Sequence, residues 1–147
     1  RPLLQELAER TQATAFLCIG HGEECVAVEV AEPETLLLRV SYRVGSRHPL
    51  NRGAAGIAVA CLRPERPEDS EALRQARRDG YSVTRGQLQA VYPVDSHFRF
   101  EGCVGVVALQ DLDVQAATTE TLACARRLVN RLTDKRKTGV VPKITRR

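Results

Sequence analysis

VSYRVGSRHPLNRGAAGIAVA, residues 40–60, is the stretch of sequence that decides the fold. It begins with apolar residues, continues through a loop that contains Gly45 and Pro49, and ends in a run of small residues that starts at Gly53. Gly45 can adopt a positive φ, and Pro49 restricts both its own φ and the conformation of the residue before it. The stretch therefore predicts a strand, then a loop, then a helix over residues 53–62.

Two interpretations of the helix start are open, because its first residues, Gly53, Ala54 and Ala55, have almost no side-chain bulk. In one, the free N–H groups and the positive end of the helix dipole receive an anion such as a carboxylate, with Arg52 as a pairing partner and His48 as a pH-sensitive donor. In the other, the small residues allow the helix to pack closely on a sheet, and His48 is a surface residue of the loop.

Hydrophobic periodicity in the rest of the chain predicts alternating helices and strands. Helices are expected over the first dozen residues, over 70–79 with Ser70 as the cap and Gly80 as the end, and from 118 or 119 to 132. Strands are expected at 14–20, 25–31, 36–42, 81–84, 88–94 and 103–109. This order of elements is typical of the α+β class, with an antiparallel sheet.

Composition and charge describe one ordinary globular domain. Of the 147 residues, 43% are hydrophobic and only 4% are aromatic, which argues against a stacking platform for single-stranded nucleic acid. The net charge of +4 is concentrated in residues 135–147, which we predict to be a basic tail that either contacts phosphates or is a solvated end, while residues 1–134 form the domain. No apolar run is long enough to span a membrane, so no membrane contact is expected.

The cysteines and histidines do not form a recognisable reactive motif. Five cysteines without a CxxC spacing indicate thiols in a reducing compartment, and we expect a cytoplasmic location. No Gly-x-Ser-x-Gly turn for a nucleophilic serine is present. Cys18, His21 and Cys25 lie close together, but a structural zinc site needs a fourth ligand. The sequence therefore predicts no enzyme activity, no metal site and no cofactor.

Four segments, taken in order, give the chain a family resemblance. The opening LLQELAERTQATAFLCIG, the stretch of residues 40–60, the segment RRDGYSVTRG, and AVYPVD followed by GCVGVVAL resemble the effector-binding C-terminal domain of IclR-type bacterial transcription regulators. The resemblance covers nearly the whole chain. It implies a GAF-like antiparallel sheet with helices packed on one side and a small-ligand pocket on the other.

The resemblance also implies which residues contact a ligand. The matching positions lie on the strand before the loop, at the loop proline, at the helix start, after Gly-Tyr and on the closing strand: Leu37, Val40, His48, Gly53, Ala54, Ala55, Thr84, Ala108 and Gln110. The chain departs from the family in a shorter connection before Tyr81, in a cut loop after that segment, and in Ile57 where a lysine is usual. The implied pocket is therefore more apolar and more open than the family norm.

The function that the resemblance implies is ligand sensing: the domain binds a small organic acid or an aromatic metabolite and self-associates as a dimer or tetramer. DNA would then be contacted, for repression or activation, only by a winged helix-turn-helix domain that this chain does not contain. A dimerisation or structural domain with a degenerate pocket is the alternative. A small enzyme would need an activated thiol such as Cys103, which strand alternation places out of step with Val104 and Ala108, the residues expected to face the pocket.

Overall fold

The computed structural model describes residues 2–34, 42–50, 52–84, 89–95, 101–108 and 113–137. Four helices lie in this part of the chain: α1 Pro2–Thr11, α2 Gly53–Ala60, α3 Glu71–Asp79 and α4 Val114–Lys137. Six strands accompany them: β1 Thr14–His21, β2 Glu24–Ala31, β3 Arg47–Pro49, β4 Ser82–Thr84, β5 Gln89–Asp95 and β6 Glu101–Val107. They form one antiparallel sheet in the order β3-β2-β1-β6-β5-β4. The predicted α+β class with an antiparallel sheet is confirmed.

The bounds of most predicted elements agree with the structure to within two residues. An additional short edge strand, β3, forms inside the predicted loop and pairs with β2, with His48 opposite Cys25. Helix α2 ends at Ala60, before the predicted end at residue 62. Of the strand predicted at 36–42, residues 36–41 lie outside the described part of the chain.

Helix α4 is longer than predicted at both ends. The Asp113 carboxylate accepts a hydrogen bond of 3.1 Å from the Ala116 N–H group, so this residue caps the helix ahead of the predicted threonine. At its other end α4 continues to Lys137, into the segment predicted to be a basic tail. None of the described helices is long and apolar enough to cross a membrane.

Two apolar clusters lie on opposite faces of the sheet, because successive side chains of a strand alternate in direction. Helices α1 and α4 pack on one face, where Leu17 of β1 and Val104 of β6 belong to the cluster. Helix α2 covers the other face, where Cys18 of β1 and Cys103 of β6 belong to the second cluster. Helices therefore lie on both faces of the sheet. Helix α2 is apolar all round, and a helix of this kind is stable only when it is buried.

Helix α3 has the two end signals that the sequence predicts. The Ser70 hydroxyl accepts a hydrogen bond of 3.2 Å from the Leu73 N–H group. Gly80 adopts the left-handed conformation with φ 82° and donates to the Ala76 carbonyl oxygen at 2.8 Å. These contacts fix the helix that lies next to α2 and so support the position of α2.

Replacing Ser70 with alanine is expected to destabilise the domain by about 1 kcal/mol, because the first turn of α3 loses its side-chain acceptor. Thr119→Ala is the matched control: its hydroxyl donates to the Gln115 carbonyl oxygen within α4, and losing such a bond is close to neutral. Urea unfolding followed by circular dichroism measures both changes. Equal losses of stability in the two variants would contradict the assignment of Ser70 as a cap.

Candidate functional site

Reactive and polar side chains are concentrated on the sheet face that α2 covers, which we call the α2 face. Cys18 of β1 stands opposite Cys103 of β6, and Cys25 of β2 stands opposite His48 of β3. The three thiols are completely buried, at 0% exposure. Tyr42, just before β3, packs against the same cluster. Strand register thus brings together residues that lie far apart in the sequence.

A continuous polar chain connects the buried Cys18 thiol to a half-buried imidazole. The Cys18 Sγ atom lies 3.2 Å from the Tyr42 Oη atom, which lies 2.7 Å from the His48 Nε2 atom. The Tyr42 and His48 rings are stacked, with centroids 5.4 Å apart and planes 13° apart. Phe16 holds the tyrosine ring from inside the core, at a centroid distance of 4.9 Å. The dyad of Tyr42 and His48 is therefore held in place by packing as well as by hydrogen bonding.

The surroundings of the three thiols shift the pKa of Cys18 downward and the pKa values of Cys25 and Cys103 upward. Hydrogen bonds from the Cys103 thiol, then from the Cys25 thiol and Tyr42, stabilise the Cys18 thiolate and lower its pKa against the opposing effect of burial. Burial and then Cys18 raise the pKa of Cys103. The hydrogen bond with Cys18, followed by burial, raises the pKa of Cys25. The group that ionises most readily on the α2 face is therefore Cys18.

The beginning of α2 is closely packed on the sheet. Ala54 and Ala55 are 0% and 3% exposed, and the Ser82 hydroxyl donates to the Ala54 carbonyl oxygen at 2.7 Å. The packing interpretation of these small residues is therefore favoured. The very first residue of the helix is not packed in this way, because Gly53 is exposed. Arg52, at the N-cap, makes no side-chain cap hydrogen bond. The Arg52 side chain therefore accepts no hydrogen bond from the N–H groups of the first turn of α2.

The structure brings together only some of the residues predicted to contact a ligand. His48 stands opposite Cys25, which lies on the α2 face, and Gly53, Ala54 and Ala55 form the start of the helix that covers this face. Ala108 packs instead with the cluster under α1 and α4, on the opposite face. Thr84 ends β4, at the sheet edge opposite to the β3 edge that holds His48. Leu37, Val40 and Gln110 lie outside the described residues.

Sequence reasoning missed Tyr42 and expected Val104 and Ala108, rather than Cys103, to face the pocket. Val104 and Val106 face α1 and α4, whereas Cys103 faces α2. Alternation predicts that Cys103 and Val104 point in opposite directions, but it does not say which direction leads to α2. Cys18 and Cys25 do belong together, with Cys103 rather than the exposed His21 as their neighbour. No group of residues in the described ranges is suited to hold a metal ion.

A cleft of about 550 Å³ lies on the outer side of α2, between this helix, α3 and the loop that joins them. Apolar and charged side chains both line it, among them Leu50, Ile57, Leu73, Arg63, Asp69 and Arg77. The charges are paired within the protein: Arg77 donates to Asp69 at 3.1 Å and to the Arg63 carbonyl oxygen at 2.7 Å. Hydrogen bonding from the Arg66 N–H group, assisted by Arg77, lowers the pKa of Asp69. The cleft is a second candidate for ligand binding, with its polar groups largely occupied.

Comparisons with known proteins identify similar sequences and folds. The family model described as bacterial transcriptional regulator IclR C-terminal matches residues 1–85. The fold is similar to the C-terminal domain of a transcriptional regulator from Vibrio cholerae, with a TM-score of 0.73 and 23% identity over 85% of this chain and 91% of that one. It is also similar to an IclR transcriptional regulator from Alicyclobacillus acidocaldarius, with a TM-score of 0.76 and 19% identity over 88% of this chain and 64% of that one.

A third similar structure is the IclR protein of Thermotoga maritima, with a TM-score of 0.68 and 19% identity over 91% of this chain and 65% of that one. The chain thus spans somewhat less than two thirds of the Alicyclobacillus and Thermotoga proteins, and most of the isolated Vibrio domain. No curated protein matches the chain significantly. The solved structures support the fold, and the family model extends over more than half of the sequence.

Proposed function

Because the chain belongs to the IclR C-terminal family of bacterial transcriptional regulators, we propose that it is the ligand-sensing domain of such a regulator. Its ligand would be a small organic acid or an aromatic metabolite. The domain would act as a sensor and not as an enzyme. Contact with DNA would be made by a separate winged helix-turn-helix domain of the whole protein.

The observation that carries this proposal is the Tyr42–His48 dyad on the sheet face that α2 covers, a helix whose first turn has no side-chain cap. A carboxylate can accept hydrogen bonds from the first N–H groups of a helix, where the dipole also favours negative charge. The half-buried imidazole of His48 supplies a further polar group on the same side of the sheet. The stacked rings offer a flat surface for an aromatic ligand, with a ring plane that Phe16 helps to fix.

Sensing requires that the ligand bind one of two arrangements of the regulator more tightly than the other. A ligand that binds both equally does not shift the equilibrium between them. We propose that the domains associate as a dimer or tetramer and that the two arrangements differ in how the subunits are placed. We propose that α2 transmits the binding of the ligand to the rest of the domain, since this helix contacts all six strands of the sheet. The ligand would thereby change the affinity of the whole regulator for its operator.

A thermal-shift screen against small carboxylic acids and aromatic metabolites tests the proposal. A ligand present at 100 times its Kd stabilises the folded state by about 2.7 kcal/mol, which raises the melting temperature measurably. We expect His48→Leu to abolish this stabilisation. Leu73→Trp, which fills the cleft outside α2, is the control and should leave it unchanged.

The opposite pattern, loss with Leu73→Trp and retention with His48→Leu, would place the ligand in the cleft and refute the site at the dyad. Absence of stabilisation by every compound, in a protein that sediments as a dimer, would favour the alternative function. In that case the domain serves dimerisation only and its pocket is degenerate.

A further inference from the structure

The three buried thiols of the α2 face have no part in the proposed recognition of a ligand. Cys18 and Cys103 are directly opposite in the antiparallel pair of β1 and β6. Such residues have Cα atoms about 4.5 or 5.5 Å apart, and a disulfide can span either distance. Cys25 stands opposite Gly20 and is only a diagonal neighbour of Cys18. Cys103 is therefore the better-placed partner for Cys18.

Contact with Tyr42 distinguishes Cys18 from the other cysteines of the described chain. The Sγ–Oη distance of 3.2 Å and the Oη–Nε2 distance of 2.7 Å form an unbroken path for a proton. When the His48 Nε2 atom is unprotonated, the tyrosine hydroxyl can accept the Cys18 proton while it gives its own to His48. The thiolate that remains is the nucleophilic form of cysteine.

We propose that Cys18 is a modification site for small hydroperoxides and that its oxidation ends in a Cys18–Cys103 disulfide. The Cys18 thiolate attacks a peroxide oxygen and the O–O bond breaks. The leaving oxygen takes the proton held at His48 and departs as water or an alcohol, so that Cys18 becomes a sulfenic acid. The Cys103 sulfur then attacks the sulfenic sulfur, the S–O bond breaks, and the hydroxyl leaves as water with the Cys103 proton. The two thiols lose two electrons, which the hydroperoxide gains.

The surroundings of the two sulfur atoms limit the oxidant and give the reaction a structural consequence. Both thiols are completely buried, so the oxidant has to be small, such as hydrogen peroxide. The Cys103 Sγ atom lies 3.7 Å from the Ala55 carbonyl oxygen, to which its thiol donates whenever its proton is not shared with Cys18. A disulfide removes this donor from the first turn of α2. The chemistry does not depend on the binding of a ligand.

Treatment of the full chain with hydrogen peroxide, followed by alkylation and peptide mass mapping, tests the proposal. We expect two thiols to disappear and one cross-linked peptide to join Cys18 to Cys103. In Cys103→Ser, unfolding the oxidised protein in the presence of dimedone should label a sulfenic acid at Cys18, since dimedone is too large to reach the buried sulfur in the folded protein. Cys124→Ser, which removes a buried thiol under α1 and α4, should oxidise like the unaltered protein.

The dependence of the oxidation rate on pH separates activation by Tyr42 from a packing role. Hydrogen bonds lower the pKa of Cys18, so the rate should reach its half-maximum below about pH 8.5, the ordinary value for a thiol. Tyr42→Phe should move that midpoint upward. An unchanged midpoint, a cross-link from Cys18 to Cys25, or unmodified Cys18 in protein with native circular dichroism would overturn the proposal.

Discussion

Replacing Gly56 with alanine is expected to destabilise the domain by about 3 kcal/mol, at the upper end of the cost of overpacking. A Cβ atom at this position would collide with the Pro49 carbonyl oxygen and would lie 3.2 Å from the Leu50 Cα atom. Both are backbone atoms, so no side-chain rotation relieves the collision. The higher helix propensity of alanine, about 1 kcal/mol, is too small to offset it. Gly56 thus determines how closely α2 approaches the end of β3.

Urea unfolding of Gly56→Ala and Gly22→Ala separates this collision from ordinary backbone strain. Gly22 lies in the turn between β1 and β2 with φ 62°, and among the described residues an added Cβ would meet no atom within 4 Å apart from those of its own chain neighbours. Alanine at Gly22 is therefore expected to cost only about 1–2 kcal/mol, from its left-handed conformation. If Gly56→Ala proved no more destabilising than Gly22→Ala, the close approach of α2 would be refuted.

Replacing Leu7 with alanine is expected to cost about 3–4 kcal/mol, within the range measured for buried leucines. Leu7 lies on α1, is 2% exposed and belongs to the cluster that joins α1, α4 and the sheet. Truncation removes buried apolar surface and leaves a cavity between two helices and a sheet that cannot all move inward together. The loss of stability therefore has two parts: the favourable free energy of burying the deleted atoms is lost, and the cavity adds a further cost.

Leu122→Ala, made in the half-buried part of α4, is the matched control for this truncation. Its expected cost is about 1 kcal/mol, because the side chain is only partly removed from water. Calorimetric or urea unfolding gives both values. A loss for Leu7→Ala as small as that for Leu122→Ala would mean that α1 does not pack on α4 and the sheet as the structure shows.

Much of the fold follows from local patterns in the sequence. Ser70 and Gly80 mark the two ends of α3 because an N-cap hydroxyl and a left-handed glycine act within one turn of the helix. The apolar run of β1 and the alternation of β2 predict adjacent strands because a short turn connects them. α4 was predicted less well, since Asp113 and the threonines that follow are all competent caps and the choice between them depends on packing.

Much less of the candidate site could be predicted from the local sequence. The glycine and alanine residues at the start of α2 are compatible with an anion site or with close packing, and the burial of Ala54 with the approach of Gly56 to Pro49 favours packing. Ala108 matches a ligand-contacting position in the family, yet it lies on the face under α1 and α4. Parity along a strand fixes which residues share a face, but only neighbouring elements decide what that face meets.

The sequence by itself determined the order of helices and strands, the α+β class and the resemblance to the family, because periodicity, caps and turns act between residues close in the chain. Only the tertiary structure decided that Cys18, Cys103, Tyr42 and His48 meet under α2. Cys18 and Cys103 are separated by most of the chain, and they become neighbours through the register of β1 against β6. That register depends on which apolar faces are buried together, which is a property of the assembled core and not of any one segment.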